Sequence, residues 1–473
     1  MPSRRFLLGI TTMVGPLLAS VLVAQAPATD TWRGGGGNAD WSNAANWASN
    51  SVPGIGDKLV FPASANLISD DDLLGYTFSG MTFTAAGYDI GGDAFALSGP
   101  LAVTAAVTSG QDEIDPQVTF AAGGRVSVAT GGVVLDLVAT PVGALIKTGN
   151  GTLDAQGLNP GTSPITVRAG ILTGCGNGSS STSPITVDAG ASYLAGSLDS
   201  PDNLIGCGRP LVVNGTGYQG EGAIDVVQHV NFGALTLGSD ATIGGLATGA
   251  SSSYWLGAVA IRGHTLTSAG FTNTFAGSIS GSGTILQDAA NITLVEGAGS
   301  VRSAVTDSGM LGLAVPVTTV TVGGTGVLYT ASSISRLSVS ASAQLWPCDV
   351  PTTGPPTGPN TPTVTTVAHS LRLPAGTTFV AQLGVGSAAG NDSLAVTSGL
   401  MTISGASLAV AAPGACDGSD IATQPGDSYT VLTAPGGLVG TFAGLPDGAV
   451  LTGEDGNPYR VTYTATSVVL TRN

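Results

Sequence analysis

Charge is what this chain has least of. Asp, Glu, Lys and Arg make up 9% of its 473 residues, against about 25% in ordinary globular domains. Its 14 basic residues include two lysines, Lys58 and Lys147, and face 30 acidic ones for a net charge of −16. A nucleic-acid binder clusters Lys and Arg to displace counterions, so nucleic acid is not an expected partner. Aromatic rings are also scarce, at 5%, which argues against a broad core filled by rings. Low charge with 42% hydrophobic residues is equally unlike a disordered chain, which stays solvated through charge.

Motifs of common chemistry are missing too. There is no C-x-x-C, no H-E-x-x-H, no G-x-S-x-G elbow, no phosphate loop and no G-G-x-G-x-D calcium repeat. His229, His264 and His369 stand far apart and read as ordinary strand histidines rather than ligands or bases. Carboxylates cluster at Asp70-Asp71-Asp72, at Asp112-Glu113 with Asp115, and at Asp417 with Asp420. An acid–base pair or a calcium site would use such groups, but Gly and Ser beside most of them favour turn hydrogen bonds and solvation. No catalytic, cofactor-binding or metal residue is assigned.

No long apolar run follows the first 23 residues. Those begin MPSRRFLLGITTMVGPLLASVLV, with a basic start at Arg4 and Arg5 and an apolar stretch over Phe6–Val23. Small residues then lead to an expected cleavage after Ala28, so residues 1–28 read as an export signal rather than an anchor. Ser3-Arg4-Arg5-Phe6-Leu7-Leu8 also fits a loose twin-arginine pattern, which leaves the export route open. The expectation is a secreted or surface protein whose mature part has no transmembrane segment. Four cysteines, Cys175, Cys207, Cys348 and Cys416, are an even number, allow three pairings, and suit disulfides in an exported chain. Cys175 and Cys207 both sit in Gly-Cys-Gly, and would come within bonding reach if they occupy neighbouring coils.

Glycine is what the chain has in excess, 72 residues, and with it a repeat. TSPITVRAG at Thr162–Gly170 returns as TSPITVDAG at Thr182–Gly190, 20 positions later. Ile-Thr-Val alternates apolar and polar residues, as a strand with one buried face does, and Ser-Pro and Ala-Gly punctuate its ends. A strand that recurs at this period marks a solenoid, in which successive circuits stack about 4.8 Å apart. The expected register places Ile165 on Ile185 and Val167 on Val187 inside, with Arg168 and Asp188 facing each other outside. Weaker strand-like runs at Leu101, Val126, Leu211, Ala234, Val320 and Leu337 extend the pattern. The fold expected is all-β, a right-handed parallel β-helix.

Two phrases resemble a known family. Ala144-Leu-Ile-Lys-Thr-Gly-Asn-Gly-Thr-Leu153 followed by Ile165-Thr-Val-Arg-Ala-Gly-Ile-Leu-Thr173 is similar to the autotransporter-associated β-strand repeat. Asp392-Ser-Leu-Ala-Val396, Gly426–Leu432, Gly440–Gly448 and Tyr459–Tyr463 resemble, in order, the terminal module of such proteins. The opening Thr31-Trp-Arg-Gly-Gly35, with Trp41 and Trp47, resembles the start of many secreted bacterial repeat proteins. The resemblance implies a passenger-like protein, without the translocator barrel that autotransporters carry. Because the family is bacterial, the five Asn-x-Ser/Thr sequons are not read as glycosylation sites.

The sequence divides into the signal at 1–28, a Trp-bearing N-terminal cap at 29–63, coils over 64–345, a Pro/Thr-rich linker or loop at 346–367 and a C-terminal β module at 368–473. Trp32, Trp41 and Trp47 either stack on sugars or plug the open end of the coil, and their grouping favours the plug. The function expected is non-catalytic, structural or adhesive, at the cell surface or outside the cell. Extracellular polysaccharide or another cell surface is the expected partner. A polysaccharide lyase or glycoside hydrolase on the same scaffold is the alternative, recognisable by Asp, Glu and Arg or Lys converging in one flank groove.

Overall fold

Ile165–Val167 lies beside Ile185–Val187 as a parallel pair, Ile165 opposite Ile185, Thr166 opposite Thr186 and Val167 opposite Val187. The nine-residue repeat therefore stacks on itself in the expected register. This pairing comes from a computed structural model of the chain, which describes residues 27–121, 123–141, 143–156, 163–174, 182–195, 205–226, 229–244, 252–288, 292–297, 299, 301–306, 308–348, 362–385, 390–412, 415–416 and 422–473. It is a β-solenoid, a parallel β-helix. Among the described residues only Ala44–Asn46 and Tyr218–Gly220 are helical, each a single 3₁₀ turn.

One ladder starts at Thr29–Thr31 and climbs through Lys58–Phe61, Gly80–Phe83, Leu101–Val103, Gly124–Val128 and Leu145–Thr148. It continues through the two repeat strands to Leu211–Gly215 and Leu235–Ile243. A second ladder rises from Ile68–Asp71. A third runs from Ile205–Cys207 to Ser407–Val410. Val364–Val367, inside the Pro-rich stretch, is itself a rung, paired with Ser333–Val339 below and Ser393–Val396 above.

Inward columns of aliphatic residues fill the coil. Leu145, Ile165, Ile185, Leu211 and Leu235 are stacked and fully buried. Outside, Arg168 and Asp188 follow their strands toward solvent but form no ion pair, and an exposed pair there would add little. Close stacking also explains the glycines: Gly170 has φ 66°, and a Cβ there would lie 2.4 Å from the Gly149 carbonyl oxygen of the coil below.

Both ends are closed. Trp32, Trp41 and Trp47 are buried with Phe61, Phe78 and Phe95. Ala48 N donates to Thr31 O and Trp41 N to Asp70 O, so residues 39–48 cover the outer edges of the first two ladders. At the far end Ser428–Thr433 pairs antiparallel with Ser467–Arg472, which pairs antiparallel with Pro458–Tyr463. Glu454 N donates to Val410 O, meeting the last strand of the third ladder.

Candidate binding groove

The tryptophans give the first test of a sugar site. Each indole N–H is used inside the protein, Trp32 Nε1 on Asn66 O at 2.9 Å, Trp41 Nε1 on Ser69 Oγ at 2.9 Å and Trp47 Nε1 on Trp41 O at 2.8 Å. The rings pack edge to face on one another at centroid distances of 5.3 and 6.0 Å. None is free to stack on a ligand.

The acidic clusters divide by what the alternating strand does to them. Asp71 and Asp112 are turned inward and buried. Asp71 accepts from Leu73 N at 2.9 Å, and Asp112 from Tyr88 N at 3.1 Å. Burial is the main cause that pushes Asp71 up to about 7 and Asp112 up to about 6, against the lowering effect of those backbone bonds. Asp72 bonds Ser42 and ties the cap down. Glu113 is outward, opposite Asp89 on one side and Asp136 on the other, and Asp136 lies opposite Asp154. This is a column of carboxylates on successive rungs; burial, then repulsion from Asp115 and Asp136, raises Glu113. Asp417 and Asp420 lie outside the described residues. Among the described residues no three or more His, Cys, Asp or Glu come together as a metal site would require.

The histidines stay apart. His229 Nδ1 lies 2.6 Å from Ser252 Oγ, and His264 Nδ1 3.6 Å from Asp240 Oδ1. His369 Nδ1 lies 2.9 Å from Ser335 O. A carbonyl only accepts, so the His369 Nδ1 carries hydrogen and its Nε2 points elsewhere as the free edge. Of the cysteines, Cys348 is bonded to Cys416 across 68 residues of sequence. Cys207 is also in a disulfide; the expected Cys175–Cys207 pairing lies outside the described residues.

Two cations that sequence reading passed over are structural. Lys147, from the K-x-G-x-G-T-L phrase, faces inward between Val126 and Val167 in an aliphatic column. Its Nζ donates to Thr148 O, Gly149 O and Ala169 O at 3.2, 2.8 and 2.9 Å. Burial lowers it to about 7. Arg209 occupies the place that Ser163 and Ser183 hold before proline in the repeat. Its buried guanidinium reaches back to the carbonyls of both serines. The cleft beside it, lined by Ile165, Leu172, Tyr193 and Arg209, holds ≈ 10 Å³, room for one water and no ligand.

An open concavity among the described residues lies on the flank of the later coils. In Val301–Thr306, Val317–Val322 and Ser333–Val339 the in–out alternation breaks once, with two adjacent residues turned outward: Arg302-Ser303, Thr318-Thr319 and Ser335-Arg336. Stacked breaks make a corner, and the corner is hollow. One hollow of ≈ 280 Å³ is lined by Thr318, Ser335, Ala368 and Thr397 among others. Its neighbour, of ≈ 490 Å³, is lined by the next residue on each rung, Thr319, Arg336, His369 and Ser398. Together they form one groove crossing four rungs, roughly 14 Å at the usual strand spacing. Among the described residues no carboxylate and no Trp, Tyr or Phe lines it. The sequence held a signal for this site: between Asp307 and Asp392 a strongly acidic chain has one acidic residue, Asp349, while Arg336, His369 and Arg372 fall in that stretch.

Searched against protein-family models, curated proteins and solved structures, the chain matches none. A solenoid shape alone does not distinguish an autotransporter passenger from other repeat proteins. Among the described residues no helix is long and apolar enough to cross a membrane.

Proposed function

We propose that this is an exported, non-catalytic β-helix with a structural or adhesive role at the cell surface or outside the cell, passenger-like in the sense of the autotransporter-associated repeat. The observation that carries the reading is a segregation of charge. The groove's arginine, Arg336, sits on the later coils and the carboxylate column of Asp89, Glu113, Asp136 and Asp154 on the early ones. Acid–base cleavage of a polysaccharide needs both kinds of group at one bond, and among the described residues the groove offers no carboxylate. The Cys348–Cys416 disulfide and the oxidised Cys207 support an oxidising compartment. Long ridges of Thr, Ser and Asn on stacked rungs support weak, repeated contact with a polysaccharide or another surface.

Incubating the mature chain with a panel of polysaccharides and assaying released reducing ends tests this reading. No release is expected from any of them; reproducible cleavage would return the lyase or hydrolase alternative. Cell fractionation tests the export half, with the chain expected outside the cytoplasm.

A further inference from the structure

The groove is the place where this acidic protein turns positive. Arg336 projects from it, exposed, and has no hydrogen bond or ion pair among the described residues. Arg372 is equally exposed, with no hydrogen bond or ion pair among the described residues; it does not line the hollows but follows the lining Ser370 by two residues, on the short strand Leu371–Arg372 that packs beside Ser333–Val339. His369 stands between them in sequence, anchored through Nδ1 to Ser335 O. Around Arg336 the lining is largely hydroxyl, from Thr319, Ser338, Ser370 and Ser398. Guanidinium groups match carboxylates through paired N–H donors, and hydroxyls match the hydroxyls of sugars. Bases of nucleic acid would want rings to stack on, and among the described residues the groove has none.

We infer that the groove binds a linear, carboxylate-bearing polysaccharide. An acid group lies against Arg336, with Arg372 just past the lining Ser370 as a second contact, and the sugar hydroxyls lie against the Ser and Thr of the four rungs. This rests on the adhesive reading above and names its partner.

Titration calorimetry of the purified chain with polygalacturonate, neutral dextran and poly-glutamate tests it. Polygalacturonate binds, dextran does not, and poly-glutamate, which has charge without sugar hydroxyls, binds more weakly. Raising salt from about 50 to about 300 mM weakens the polygalacturonate complex, as screening requires. The exposed pair Arg336→Ala and Arg372→Ala together lowers affinity roughly tenfold or more with an unchanged melting curve. Arg168→Ala, an exposed arginine elsewhere on the coil, leaves affinity unchanged.

Absence of binding, binding that ignores the double variant, or equal binding of poly-glutamate overturns the inference. So does self-association in sedimentation that Arg336→Ala abolishes while no glycan binds, because the occupant is then a second copy of this chain. Release of sugar fragments alongside Arg336-dependent binding would sink the non-catalytic reading and leave the groove assignment standing.

Discussion

Lys147 shows how much one side chain in a solenoid depends on its column. The aliphatic stem fills a slot between Val126 and Val167, and the ammonium finds three carbonyls at the corner. Desolvation lowers it to about 7, from 10.5 in a solvated lysine. Between those values the unfolded chain still holds a proton that the folded chain has released. This group's contribution therefore rises with pH from 7 to 10.5, and the penalty is complete below 7. Lys147→Met keeps the column filled and removes the titration. In thermal or denaturant melts the stability of the natural chain relative to Lys147→Met should rise by about 1 kcal/mol or more between pH 6 and pH 9.5, as the low-pH penalty is relieved. Parallel profiles would show that the ammonium reaches water. Nothing in K-x-G-x-G-T-L marked this lysine as buried, because strand alternation is legible only once the register is known.

At the scale of elements, the third copy of the Ser-Pro strand start, Arg209-Pro210-Leu211, fastens the first two. The main-chain ladder Leu145 N to Pro164 O, Ile165 N to Pro184 O and Ile185 N to Pro210 O runs at 2.9–3.1 Å. Arg209 lies across it, bonded to the Ser163 and Ser183 carbonyls. Removing the guanidinium takes a charged donor from the buried Ser163 carbonyl and the half-buried Ser183 carbonyl, at a cost of about 2–3 kcal/mol. Arg209→Ala should speed amide exchange over residues 163–187 while the N-terminal cap stays protected; uniform exchange along the chain would contradict a local staple.

Stacked strands were legible here because Ile165-Thr-Val and Ile185-Thr-Val are nearly identical and equally punctuated. The rung at Val364–Val367 was not, since the prolines before it mask a short alternating strand. The groove was hidden for a similar reason. It forms where alternation breaks at Ser335-Arg336, and a break reads in sequence as noise.

For the whole molecule, stability and surface follow from one arrangement. Each circuit buries its neighbour's column, so the coil grows without a broad core, and its exposed faces are free to carry charge at one end and hydroxyls at the other. Aromatic rings are concentrated where a column has no next circuit, at the capped N-terminal end. The two ends differ in sign: Asp89, Glu113, Asp136 and Asp154 make the early flank negative, and Arg336 and Arg372 make the late flank positive. Fold was readable from period and punctuation. Partner was not, because recognition depends on which outward residues share a corner.

Spin labels on Thr166→Cys and Thr186→Cys test the stacking most directly, since these outward residues are opposite each other on adjacent rungs and no described cysteine is a free thiol that would compete for label. Strong dipolar broadening is predicted, from labels on backbones about 5 Å apart, with a Thr166→Cys and Ser280→Cys pair, five rungs distant, giving a sharp spectrum. A sharp spectrum from the 166/186 pair would contradict the coil register and everything placed upon it.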